Sequence, residues 1–235
     1  MKTLSQWDSS ADWYDRNMGE EGDTLNKEIL RPLVFQLLGN VVNKTILDSG
    51  CGSGYLAAEL TNKAYKVIGT DFSRNFVSLC KKKYKHFKNL SFMQCNVTEK
   101  MPFDDKSFDI ILSKMVLQYV PRLDVFSKES LRTLQNHGTL IVIVDHPFHS
   151  QFYFAQQAAG RANSKYPTLY DYFSGKEQKK FSLWGKVELT WYPKTVTEYI
   201  IPFIKVGMHL IDIKEIPEIK GNLKIPRILA LKFIK

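Results

Sequence analysis

The chain predicts a doubly wound α/β fold, and three observations carry that reading. From Thr45 to Val144, short apolar runs alternate with segments of helical spacing. The first of these runs ends in an acid and enters a turn with glycine at every second position, Asp48-Ser49-Gly50-Cys51-Gly52-Ser53-Gly54. The second run ends in Asp71, roughly 20 residues past the first glycine, where an acid in such a unit meets a ribose. In a sheet of this kind the ligand sits at the carboxyl ends of the strands, where these acids and glycines fall.

Each element follows from the pattern. Residues 23–40 carry Leu25, Ile29, Leu30, Leu33, Val34, Leu37 and Leu38 at helical spacing, and Gly39 is the stop. Residues 45–49 are the first strand and 53–63 its helix. Residues 65–70 are the second strand. Ser73 is a good N-cap for a helix running to about His86. Strands follow at 90–95, 108–112 and 139–144, with a short helix from Lys114 and another over 124–135. Residues 146–192 break the rhythm and are dense in aromatics, among them Phe148, Phe152, Tyr153, Phe154, Tyr166, Tyr170, Tyr172, Phe173, Phe181, Trp184, Trp191 and Tyr192. A helix over 195–206 then closes at Gly207, and 209–216 and 227–234 read as a terminal strand pair.

Composition narrows the function class. At 235 residues, with 44% hydrophobic and 24% charged residues, the chain suits one globular α/β domain with additions. No apolar run approaches the roughly 18 residues of a membrane span, and the first 16 residues lack the apolar core of a signal peptide. Cys51, Cys80 and Cys95 have no metal-ligand spacing and read as reduced thiols of a cytoplasmic protein. The net charge of +9 fits either a solvated lysine-rich surface or an RNA-binding or anion-binding patch. The densest basic run, Lys81-Lys82-Lys83-Tyr84-Lys85-His86-Phe87-Lys88, ends a helix, where cations complement the dipole.

The turn also says which ligand. A dinucleotide fingerprint reads G-x-G-x-x-G and would need a third glycine at position 55, where this chain has Tyr55. Here the spacing is G-x-G-x-G, with Asp48 two residues before the first glycine. A carboxylate facing that turn repels a pyrophosphate and suits a ligand with a cationic end, such as S-adenosylmethionine. With its acid-x-G-x-G-x-G motif the chain resembles the class I S-adenosylmethionine-dependent methyltransferases. Met101-Pro102-Phe103-Asp104-Asp105-Lys106-Ser107-Phe108-Asp109 looks like the P-F-x-x-x-S-F-D segment of their small-molecule (methyltransferase type 11-like) branch. Trp7-Asp8-x-x-Ala11-Asp12-Trp13-Tyr14-Asp15 resembles that branch's W-x-x-x-A-x-x-Y-D opening.

The resemblance implies a Rossmann-like, mostly parallel seven-stranded sheet with an antiparallel terminal strand. It also implies S-adenosylmethionine as cofactor and S-adenosylhomocysteine as product. Asp48, Ser49, Gly50, Cys51, Gly52 and Gly54 would receive the methionine end, which Tyr14 approaches. Trp7 and Trp13 serve there or in packing. Asp71 would bind both ribose hydroxyls, and the bland alternative is a turn aspartate. Phe72 would cover the adenine. Asn96, where the family usually has Asp, keeps a carbonyl acceptor for the adenine amino group, and Val97 offers its backbone N–H. Ser113 closes the fourth strand beside the expected sulfonium. Gln118 stands where relatives often carry histidine. His146 and His149 flank Pro147; His146 is the candidate proton acceptor, with a hydrogen-bonding or substrate-shaping role as the other reading.

The implied activity is in-line methyl transfer to an O, N, S or C nucleophile of a small molecule. An RNA or protein methyltransferase and a non-catalytic cofactor-binding regulator stay open beside it, as does a homodimer. The expected organisation is a single domain of four parts: a helical cap over 1–43, a cofactor-binding core over 44–145, an acceptor-side insertion over 146–194, and a helix and strand pair over 195–235. The aromatic insertion would cover the acceptor, or else form an interface or extra core.

Overall fold

In the computed structural model, residues 2–150, 172, 179–183, 187–220 and 222–235 are described. Seven strands form the main sheet: β1 (Thr45–Ser49), β2 (Lys66–Asp71), β3 (Leu90–Gln94), β4 (Phe108–Lys114), β5 (Leu134–Asp145), β8 (His209–Lys220) and β9 (Leu223–Ile234). Their order is β3-β2-β1-β4-β5-β9-β8, and β9 alone runs against its neighbours. The seven expected strands are thus all present, with one antiparallel strand. Between them lies a separate hairpin, β6 (Lys179–Leu183) with β7 (Val187–Trp191), which hydrophobic periodicity did not reveal.

Strand alternation divides the core into two layers. Ile46, Val67, Ile110, Leu112, Ile141 and Ile143 face α2 (Arg31–Leu38) and α3 (Tyr55–Leu60). Leu47, Ile111, Leu140, Val142, Leu229 and Leu231 face Phe126 of α5 (Asp124–Thr133) and Tyr199 and Phe203 of α6 (Val196–Lys205). The helix signals hold: Ser73 Oγ accepts the Phe76 N–H at 3.2 Å to start α4 (Arg74–Lys83). Thr195 and Glu198 form a reciprocal capping box on α6.

Some boundaries differ from the sequence reading. α3 starts at Tyr55, because Gly54 is held left-handed at φ 76°. The β8–β9 hairpin reaches beyond β5, which stops opposite Ile228, so Pro226 has no ladder partner to satisfy on that side. The expected helix over 23–40 carries a π turn, Asn26–Leu30, ahead of α2. Within the expected helical cap, α1 (Lys2–Met18) crosses to α4 and β7. It is latched there by Lys83–Asp15 at 2.8 Å, Ser73 Oγ to Asp8 at 2.5 Å, and Asn75 Nδ2 to the Asp8 carbonyl at 2.8 Å. No helix among the described residues is long and apolar enough to cross a membrane. Of the aromatic stretch expected to cover the acceptor, Phe152, Tyr153, Phe154, Tyr166, Tyr170, Phe173 and Trp184 lie outside the described residues.

Candidate active site

β1 is flanked by β2 on one side and β4 on the other, so a crevice opens at its carboxyl end. There the glycine turn borders a cavity of about 850 Å³. The Gly50 and Cys51 N–H groups close onto the Thr70 carbonyl at 2.7 and 2.8 Å, which fixes the turn to β2. The three glycines do different work. At Gly50 (φ 81°) an added Cβ would lie 2.2 Å from Val116 Cγ2. At Gly54 it would meet Cys80 Sγ at 2.8 Å, so this glycine lets α3 pack and does not border the cavity. At Gly52 (φ 52°) the nearest atom would be Tyr14 Cε1 at 3.8 Å, which leaves bare backbone facing open space.

Asp48 lines this end of the cavity and is 2% exposed. Burial pushes its carboxyl up to about 7, against the pull of Lys114 and with a push from Asp71. Sequence reasoning missed Lys114. Strand alternation on β4 puts its side chain in the cavity, where Nζ donates to Asn26 Oδ1 at 2.7 Å and to Tyr55 OH at 3.0 Å. The π turn delivers Asn26, which also accepts from Tyr55 OH at 2.5 Å. Burial pushes Lys114 down to about 8. Both members of this acid–base pair are therefore displaced toward neutrality: desolvation outweighs their mutual attraction. A ligand carrying both an ammonium and a carboxylate complements such a pair.

Asp71 is 8% exposed and ends β2 in the same wall. Its Oδ2 accepts the Gly52 N–H at 3.1 Å and its Oδ1 the Ser73 N–H at 2.9 Å. Burial raises it to about 6, while these hydrogen bonds favour the charged form. The Phe72 N–H adds a third backbone contact to this carboxylate, which keeps room to accept from a ligand hydroxyl. Phe72, Asn96, Val97, Tyr14 and Cys51 also line the cavity. Asn96 does not offer the expected acceptor. Its Oδ1 already takes the Thr98 N–H at 3.0 Å and the Thr98 hydroxyl at 2.8 Å, which uses both lone pairs.

Three other expected residues lie off the cavity. Ser49 and Ser113 alternate onto the far face of β1 and β4 from Asp48 and Lys114, fully buried. His146 is withdrawn too: Nε2 pairs with Glu215 at 2.7 Å, and Nδ1 accepts the Phe148 N–H at 3.1 Å. Burial lowers it further, so its placement speaks against a proton-accepting role and for a structural one. The cavity is also lined by Trp7, Tyr119, Trp191, Asp145, His149 and Arg227, and Trp7 meets Tyr14 edge-on at 5.7 Å. Trp7–Tyr119 and Tyr119–Trp191 meet edge-on at 5.4 and 5.7 Å. Among the described residues, no group of three or more His, Cys, Asp or Glu is placed to hold a metal.

An open sheet of this order, here with Asp48 and Asp71 at its crevice, is the fold of the class of S-adenosylmethionine-dependent methyltransferases. The same fold is found in a Listeria monocytogenes protein assigned to that class, at TM-score 0.71 and 23% identity, covering 87% of this chain and 96% of that one. It recurs in an S-adenosylmethionine-dependent methyltransferase from Mesorhizobium loti, at TM-score 0.67 and 15% identity, covering 92% and 100%. Residues 47–142 match the family described as "Methyltransferase domain". Over residues 47–142 by sequence, and over most of its length by fold, the chain is similar to S-adenosylmethionine-dependent methyltransferases. It is 32% identical over 126 residues to a demethylmenaquinone methyltransferase of Lactococcus lactis subsp. lactis, covering 51% of this chain and 50% of that protein. It is 31% identical over 100 residues to a ubiquinone biosynthesis O-methyltransferase of Pelagibacter ubique, covering 43% and 41%. The chain thus spans about half the length of these curated relatives or less.

Proposed function

We propose that this protein transfers a methyl group from S-adenosylmethionine to a small planar acceptor. The observation that carries the reading is one cavity lined both by Asp48, the open Gly52 backbone and Asp71 and by the Trp7–Tyr119–Trp191 wall. When bound, S-adenosylmethionine supplies an electrophilic methyl carbon on sulfur. Asp71 would accept the ribose hydroxyls, and Phe72 and Val97 would flank the adenine. Asp48 would receive the cationic amino-acid end while Lys114, steadied by Asn26 and Tyr55, would receive its carboxylate. The aromatic wall would hold a flat acceptor in line and keep water from the methyl. The cavity has the volume for cofactor and acceptor together, near the top of the roughly 300–1,000 Å³ range of ligand sites. The quinone-pathway names of two relatives fit a flat acceptor.

The RNA reading has less support. The basic run on α4 does not line the cavity, and its Lys83 is engaged with Asp15. Cys51, Cys80 and Cys95 are free thiols, which fits a reducing, cytoplasmic setting. On this reading residues 1–43 cap a cofactor-binding core over 44–145, and 146–194 form the acceptor side. The test is transfer of labelled methyl to a metabolite extract, with and without RNase. Label in RNase-resistant small molecules supports the proposal. Label confined to RNA or protein overturns it.

A further inference from the structure

We propose that Asp145 takes the proton from the acceptor, and that the acceptor is a planar molecule attacking through an acidic O–H, a phenol or enol. The inference rests on the methyl-transfer reading above and adds the base and the acceptor chemistry.

Asp145 ends β5 at the carboxyl edge and lines the cavity beside the aromatic wall. Its side chain is 19% exposed. Among the described residues its Oδ1 accepts no hydrogen bond, and Arg227 Nε lies 3.8 Å from it. Several neighbouring groups are committed elsewhere. His146 uses both ring nitrogens. His149 Nε2 sits 3.1 Å from Arg227 Nη1 and 3.2 Å from Glu218 Oε2. The Ser150 hydroxyl donates to the His146 carbonyl. Burial holds the proton on Tyr119, and Lys194 donates to the Leu117, Val120 and Tyr192 carbonyls outside the cavity. Asp48 and Asp71 end β1 and β2, whereas Asp145 ends β5.

The charges facing Asp145 choose the nucleophile. Arg227 comes from β9 and Glu218 from β8, His146 and His149 follow β5, Tyr119 lies in the turn after β4, and Tyr199 is on α6. Burial and Glu218 raise the Asp145 carboxyl to about 6 while Arg227 pulls it down, a value suited to exchanging a proton near neutral pH. A guanidinium this close disfavours an incoming ammonium and favours an oxygen gaining negative charge. Arg227, itself held at Nη1 by Glu218 at 3.3 Å, is a positioning residue. In the step, the acceptor O–H bond breaks and its proton passes to Asp145. The oxygen's electron pair forms the bond to the transferring methyl carbon, and the pair of the departing C–S bond stays on sulfur.

The test loads the protein with S-adenosylhomocysteine and measures binding of naphthalene-2,3-diol against 2,3-dimethoxynaphthalene by calorimetry. The diol should bind at least tenfold tighter. Asp145→Asn should bring the two within twofold and leave S-adenosylhomocysteine affinity unchanged. Methyl transfer to the diol should fall about 10²- to 10⁴-fold in kcat in that variant, with KM for S-adenosylmethionine unmoved. Equal binding of diol and diether by the parent protein, no transfer to the diol, or a variant keeping more than a tenth of the parent rate overturns the inference. The diol–diether comparison on the parent stands whether or not the variant folds. Failure to bind S-adenosylhomocysteine at all would instead overturn the methyl-transfer reading.

Discussion

Replacing Asp48 by Asn should make the ligand-free protein more stable and the ligand weaker. Asp48 is 2% exposed, and burial moves its carboxyl from 3.8 to about 7. In the unfolded chain it ionises near the ordinary value. As pH rises from 4 to 7 the folded protein holds a proton that the unfolded chain has lost. Its contribution to stability is therefore full below pH 4, falls through this window, and stays low above pH 7. At about 1.4 kcal/mol per tenfold, the cost at pH 8 has a ceiling of ~4 kcal/mol, and charged Lys114 offsets part of it. Asp48→Asn removes this ionisation at nearly constant shape. Its Tm should exceed the parent's at pH 8 by at least about 2 °C, for a gain of ~1 kcal/mol or more, and the gap should shrink toward pH 4. Loss of a charge-assisted contact should weaken S-adenosylhomocysteine binding roughly tenfold to a hundredfold. Thermal scans across pH and calorimetry read both effects. A stability gap that ignores pH, or unchanged affinity, would refute the reasoning.

Other variants separate the remaining roles. Asp71→Asn should weaken S-adenosylhomocysteine by roughly tenfold to a hundredfold, one charge-assisted bond of about 1.5–3 kcal/mol, whereas Asn96→Ala, whose carbonyl is already taken by Thr98, should cost under about threefold in calorimetry. Gly50→Ala should lower stability by ~1–3 kcal/mol in denaturant titration, since its Cβ meets Val116 at 2.2 Å. Gly52→Ala has 3.8 Å of room, so it should cost only about 1 kcal/mol of backbone strain yet lose affinity by intruding on the ligand. Lys114→Met removes the cation that holds Asp48 down, so the pH at which affinity rises should move upward; a profile that stays put contradicts the pairing.

Much of the site was legible because it is local. Asp48, the glycine turn and Asp71 are set by strand ends and a tight turn, both written in contiguous residues. Lys114 and Asn26 were not legible, because they meet only when β4 and a π turn 88 residues apart pack together. Ser113 was misjudged by one step of strand alternation, which turns a side chain to the opposite face. His146 was plausible by position, but its partner Glu215 comes from β8, 69 residues on. Asn96 looked like a free acceptor, because an Asx turn onto Thr98 does not register in a motif.

The most direct test of the central claim is calorimetry of the parent protein with S-adenosylhomocysteine and, separately, with NAD. The Asp48–Lys114 pair and the buried Asp71 carboxylate predict saturable one-to-one binding of S-adenosylhomocysteine and none of NAD, whose pyrophosphate would face Asp48. Binding of NAD without binding of S-adenosylhomocysteine would contradict the account.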